Sequence, residues 1–235
     1  MEFGRTAFRQ SLLSLVVTLS IVALGVTVPW IIDGDADTTT ADPAVTVVRV
    51  RTIGSGWERV GSGVLTSDGV LTNRHVVAGA SEVVIEYADG ATRAVSIVRD
   101  GGWLDLAVLE LAPNGVGLRD GGEVAAARWA AASARVGDVI SVRGFPGGGE
   151  FVDQGGTVSF EVRGEVAPDP DRLWQLDVAV RPGSSGSGVF SSSDELIGIV
   201  YAAAFGDNGA LVMRADDIQR AAATATVTNL VKCSG

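Results

Sequence analysis

Gly61-Ser62-Gly63-Val64-Leu65-Thr66-Ser67-Asp68-Gly69-Val70-Leu71-Thr72-Asn73-Arg74-His75-Val76-Val77 reads as a β-hairpin running straight into a histidine. Two apolar runs, Gly61 to Thr66 and Gly69 to Thr72, straddle a Ser67-Asp68-Gly69 turn, the pattern of adjacent antiparallel strands. His75 is the only histidine in the chain. Imidazole is the one side chain whose ordinary pKa lets it take and return protons near neutral pH. A lone histidine is more often a packed or surface residue than a base, so its weight comes from the residues downstream. Thirty residues on stands Asp105-Leu106-Ala107-Val108-Leu109, and eighty beyond that aspartate stands Ser185, within Arg181-Pro182-Gly183-Ser184-Ser185-Gly186-Ser187-Gly188. A His, an Asp and a Gly-x-Ser-Gly are the three groups that acyl transfer through a serine requires.

Outward from the hairpin the chain is a succession of short Val-rich strands punctuated by glycine, the pattern of barrels or sandwiches. Val45 to Arg51, Val83 to Tyr87, Ala94 to Val98 and Leu106 to Leu111 complete a first set of about six strands, with Asp105 at the mouth of the last. Periodicity is lost between Ala112 and Ser133, where Pro113-Asn114-Gly115 and Asp120-Gly121-Gly122 mark a connector. A second set comprises Val139 to Arg143, Gly156 to Val162, Leu173 to Val180, Ser187 to Phe190, Leu196 to Ala203 and Ala210 to Met213. After Arg214 the pattern turns helical, with Asp216 and Asp217 as an acidic helix start. The expected fold is all-β: two antiparallel six-stranded barrels, about 43–118 and 130–213, and a C-terminal helix at about 214–224. The cleft between the barrels is expected to hold His75 and Asp105 from the first and Ser185 from the second.

Ser11 to Ile32 is a run of 22 residues without a charged side chain, preceded by Arg5 and Arg9 and followed by Asp33, Asp35 and Asp37. A helix of that length, at about 1.5 Å per residue, crosses the hydrocarbon core. The positive flank predicts a cytoplasmic 1–10, a single transmembrane helix at 11–32, a polar linker at 33–42, and a domain at 43–235 on the extracytoplasmic side. A cleaved signal peptide ending near Ala23-Leu24-Gly25 is the rival reading, in which the domain is secreted.

Composition narrows the function further. With 18 basic against 28 acidic residues the net charge is −10, which argues against nucleic acid as a partner. Cys233 is the only cysteine, so no intrachain disulfide forms and zinc sites built on several cysteines are excluded.

A serine hydroxyl is a weak nucleophile unless a base takes its proton as it attacks a carbonyl, and His75 is the candidate. Asp105 is the candidate for orienting the ring and stabilising its transient charge. The backbone N–H groups of Gly183 and Ser185 are candidates for receiving the charge that develops on the attacked oxygen. Each residue also has a plainer reading. The Gly183 to Gly188 stretch has the composition of a flexible loop, and Asp105 is placed where a turn residue would be.

In these motifs the chain resembles the trypsin-like (chymotrypsin-fold) serine proteases, and within them the HtrA/Deg type and related membrane-anchored periplasmic proteases of actinobacteria. Ser62 to Leu65 with Gly69 to Val77 resembles the family's histidine block, Asp105 to Leu109 its aspartate block, and Leu176 to Gly183 with Leu196 to Val200 the surroundings of its serine. Gly144-Phe145-Pro146-Gly147-Gly148-Gly149 resembles its glycine-rich loop. The likeness covers roughly residues 44–222. It implies a double barrel and peptide-bond hydrolysis through an acyl-enzyme, with no metal and no cofactor. It also implies a substrate pocket based on Ala179, six before Ser185, and lined by Ala202, Ala203 and Ala204 after Tyr201, with the Tyr201 strand pairing to substrate backbone. Small or medium apolar residues are therefore expected at the cut. Ser184 stands where digestive members carry an aspartate that pairs with a newly cut N-terminus, so that activation route is not expected. Ser187 and Gly188 depart from the usual Gly and Pro. No PDZ-type module is expected after the helix. A catalytically silent module that keeps the fold and binds peptides in the cleft is the alternative function.

Overall fold

The computed structural model describes residues 46–113, 125–163, 172–204 and 209–228. The anchor expected at 11–32 and the linker at 33–42 lie outside them. No helix among the described residues is long and apolar enough to cross a membrane.

The first set of strands is β1 (Val47–Gly54), β2 (Trp57–Thr66), β3 (Gly69–Thr72), β4 (Glu82–Glu86), β5 (Thr92–Asp100) and β6 (Ala107–Leu111), with a single helical turn, α1 (Arg74–Val77), after β3. They pair in the order β5-β4-β1-β2-β3-β6, and β5 pairs with β6 to close a six-stranded antiparallel barrel. The second set begins with a short β7 (Arg128–Trp129). It continues through β8 (Val139–Gly144), a 3-10 turn at Pro146–Gly148, β9 (Val152–Arg163), β10 (Arg172–Leu176), β11 (Gly188–Ser191), β12 (Glu195–Ala203) and β13 (Ala210–Arg214). The order β11-β8-β9-β10-β13-β12 is closed by β11 on β12. Closure leaves neither sheet a long open edge. The helix α2 (Ala215–Thr224) comes next, and β14 (Thr226–Thr228) returns to pair with β5 of the first barrel.

The two expected barrels and the C-terminal helix are thus present. Two short strands were not expected: β7, which pairs in parallel with the start of β12, and β14. At two or three residues each they carry no hydrophobic period to read. The strand expected at Leu173 to Val180 stops at Leu176; a bulge between Gln175 and Leu176 shifts its register on β9, so that Leu176 pairs with Val158, and beyond the strand Asp177 N–H donates to the Thr157 carbonyl at 3.2 Å.

Many strands read as unbroken apolar runs because both their faces are covered. Successive side chains alternate in direction. Accordingly Leu65, Val70 and Leu109 fill the interior of the first barrel, while their neighbours Val64, Leu71 and Val108 face the second. In β12, Ile197 and Val200 fill the second barrel, while Leu196 and Ile199 join Phe145, Phe190 and Met213 in the core between barrels. Ile218, Ala221 and Ala222 of α2 seal that shared core. Each fully buried Leu or Ile contributes about 1.5–3 kcal/mol relative to exposure. The shared core therefore holds the two barrels in one register and fixes the loops at their junction.

Candidate active site

Asn73 follows β3 and the chain turns once through α1, which aims Val76 and Val77 inward and leaves His75 half exposed at the surface. Asp105 sits two residues before β6 between Leu104 and Leu106, both fully buried, so its carboxylate is drawn inside with them and its side chain is only 7 % exposed. There it is held from several sides. The His75 backbone N–H donates to Oδ1 at 2.9 Å, and His75 Nδ1 lies 2.5 Å from Oδ2. The Asp105 carbonyl accepts from the Arg74 backbone N–H and from Asn73 Nδ2, each at 3.2 Å. Arg74 Nε approaches Oδ1 at 3.9 Å while its guanidinium is anchored on Asp100 and the Gly102 carbonyl.

Two contacts on one carboxylate, from the backbone and the ring of the same residue, leave the imidazole a single orientation. Because a carboxylate oxygen can only accept, Oδ2 selects the tautomer with the proton on Nδ1, leaving Nε2 free to take a proton. Tyr201 feels the charge of this carboxylate. Burial pushes its phenol up from the ordinary value, the Asp105 charge adds to that, and Arg74 opposes it.

Ser185 comes from the other barrel. Ser184 N–H donates to the Arg181 carbonyl at 2.9 Å, closing a tight turn with Pro182 and Gly183 at its centre. Gly183 has φ 91°, the left-handed value such a turn demands of its third residue. Gly186 N–H then donates to the Val200 carbonyl, and Val200 N–H to the Ser187 carbonyl, fastening the loop to β12. The Ser185 carbonyl accepts from Ser62 N–H of β2 at 2.8 Å, so the loop is also tied to the first barrel. A methyl group at Gly61 would lie 2.7 Å from Val76 and 3.2 Å from that same carbonyl. Ser185 therefore lies beside the turn that carries His75. Among the described residues neither the Gly183 nor the Ser185 N–H donates to a protein acceptor.

Ala179 is exposed and lines a cavity of about 340 Å³ with Pro146, Gln154, Arg181 and Ser184. Ala202 is half-buried and Ala203 exposed at the end of β12, and Ala204 is buried in the shared core; none of the three lines that cavity. Sequence reasoning passed over Asn73 and Arg74 as partners of Asp105, and Tyr201 as a phenol within reach of its charge. Their only signal was position: two polar residues directly before the histidine, and a phenol late in a mostly aliphatic strand.

The chain is similar to known proteins. A family model described as a trypsin-like peptidase domain matches residues 61–199. A probable periplasmic serine endoprotease, DegP-like, of Hahella chejuensis is 32 % identical over 146 residues, which is 60 % of this chain and 29 % of that protein. Serine endoprotease DegS of Haemophilus influenzae is 31 % identical over 173 residues, 68 % of this chain and 48 % of its own length. The chain thus spans less than half the length of these relatives. The inactive form of the protease Rv3671c of M. tuberculosis superposes with a TM-score of 0.64 at 25 % identity, covering 77 % of this chain and 89 % of that one. The HtrA-type protease AlgW with a tripeptide superposes at 0.62 and 26 % identity, covering 75 % and 58 %. The chain belongs to the trypsin-like peptidase domain family, with its likeness to HtrA-type members.

Proposed function

We propose that the chain is an extracytoplasmic serine endopeptidase in which Ser185 is the nucleophile, His75 the base and Asp105 the group that orients the base. The observation that carries the reading is the double hold of Asp105 on His75, at 2.9 and 2.5 Å, beside a nucleophile loop tied to the same barrel. As Ser185 Oγ bonds to the carbonyl carbon of a peptide, its proton passes to His75 Nε2. The π pair moves onto the carbonyl oxygen, where the Gly183 and Ser185 N–H groups receive the charge. Collapse of that intermediate breaks the C–N bond, and the amine leaves with the proton from Nε2. Water, activated by the same nitrogen, then hydrolyses the acyl-enzyme and restores Ser185. Asp105 stabilises the imidazolium in both halves.

Peptides are the substrate class in this reading, in keeping with relatives named endoproteases and a neighbour described with a tripeptide. A small neutral Ala179 at the pocket base favours small or medium apolar residues before the cut, and a peptide panel preferring Arg would refute that assignment. Residues 11–32 are proposed to anchor the chain, so that the barrels work outside the membrane.

The test is labelling of the full chain with a fluorophosphonate, followed by mass spectrometry. Adduct on Ser185 that disappears in His75→Ala is expected. Absence of adduct on the folded chain would sink the enzyme reading in favour of a peptide-binding module.

A further inference from the structure

Ser62 is a polar residue inside the buried part of β2, fully shielded from solvent, and no step of the proposed reaction uses its side chain. Its hydroxyl donates to the Gly183 carbonyl at 2.9 Å and accepts from the Phe145 N–H at 2.9 Å. Its backbone N–H holds the Ser185 carbonyl at 2.8 Å, and its own carbonyl accepts from Thr72 Oγ1 at 2.7 Å. One residue of the first barrel thus grips the carbonyls on both sides of Ser184, in the second.

The grip bears on the direction of the Gly183 N–H. That N–H belongs to the Pro182–Gly183 peptide, whose carbonyl accepts from Gly147 N–H at 2.6 Å. The plane after Gly183 is held by the Ser62 hydroxyl, which through Phe145 N–H also anchors the segment that presents Gly147. Turns that differ only by rotation of the central peptide are close in energy, and a glycine at the third position opposes that rotation weakly. Rotation of the Pro182–Gly183 peptide would turn its carbonyl to the side where the N–H points. Without the hydroxyl, one of the two ties that prevent this is lost and the other is loosened.

We propose that Ser62 is a positioning residue for the nucleophile loop: its side chain locks the Gly183 amide in the orientation that receives the developing oxyanion. The proposal rests on the reading of Ser185 as nucleophile. Through Ser62 the docking of the barrels governs the competence of the loop.

The test compares wild type, Ser62→Ala and Thr66→Val in the full chain. Thr66 lies on the same strand, and among the described residues its hydroxyl bonds only the Gly69 carbonyl and the Asp68 N–H of its own hairpin. Fluorophosphonate labelling of Ser185 is resolved into kinact and KI, with thermal melting alongside. Removing an oxyanion donor outright costs about 100- to 1,000-fold; misaligning one should lower kinact about ten- to a hundredfold in Ser62→Ala, with KI within about twofold. Thr66→Val should melt lower and label at the wild-type rate. Ser62→Ala labelling at the wild-type kinact, or an equal kinact loss in Thr66→Val, would overturn the proposal. If Ser62→Ala does not fold, Ser62→Cys, of similar size and weaker in both hydrogen bonds, takes its place: a lowered kinact supports the proposal and a wild-type kinact overturns it. Wild type that labels while Ser62→Ala matches it leaves the protease reading standing, whereas wild type unlabelled at Ser185 removes both.

Discussion

Asp105→Asn probes the proposed chemistry with the least change in shape. The carboxylate accepts two N–H groups, from the backbone of His75 at 2.9 Å and from its Nδ1 at 2.5 Å. An amide has only one accepting oxygen. If that oxygen stays on the backbone N–H, the amide NH2 faces Nδ1, which must then be unprotonated; the ring proton moves to Nε2, where it cannot take one from Ser185. If the amide is turned over, two donors meet at the backbone N–H of a residue pair whose aspartate is 7 % exposed. Leaving that N–H unsatisfied costs about 1–3 kcal/mol, which is the penalty on the productive tautomer. The imidazolium formed in the reaction also loses its counter-charge, worth up to about 4 kcal/mol for a pair about 4 Å apart at an effective dielectric of 20. Solvent at the half-exposed ring reduces this, so mid-range values of about 2 and about 3 kcal/mol together give roughly 10³- to 10⁴-fold, at about 1.36 kcal/mol per factor of ten. The assay is kinact for fluorophosphonate on Ser185, with circular dichroism to verify the fold. A folded variant that loses less than tenfold would refute the role assigned to Asp105.

Gly186→Ala should lower stability by at least about 2 kcal/mol, since φ is 85° and the new Cβ would lie 2.0 Å from the Ser62 carbonyl oxygen. That corresponds to a Tm drop of at least about 4 °C, and an unchanged melt would contradict the close approach of the barrels there. Asp177 is held below the usual carboxylate range by the Thr157 backbone N–H and then by its hydroxyl. A lowered folded-state pKa gives stability that is present above the unfolded value of about 3.9 and lost as pH falls through the folded value. Asp177→Asn should therefore be less stable than wild type at pH 6, with the gap shrinking in urea melts as pH is lowered below 4; a gap constant with pH would refute the pairing.

The features legible in the sequence alone are local. Glycine and Asp-Gly turns cut the chain, apolar runs between them form strands, and an acidic start opens α2; each depends on residues a few positions apart. The order His75, Asp105, Ser185 is legible for the same reason, because each sits in its own short pattern. How distant residues act together depends on tertiary packing. Whether β5 meets β6 and β11 meets β12, rather than leaving two open sheets, depends on twist and on a core shared by both barrels. The short pairings of β7 and β14 carry no period of their own. The bond from Ser62 to Gly183 joins positions 121 residues apart, and a serine near the start of an apolar strand gives no sign in the sequence of a partner so distant. It becomes a buried anchor only because the second barrel packs over it, where a hydroxyl cut off from water must find both a donor and an acceptor in the protein.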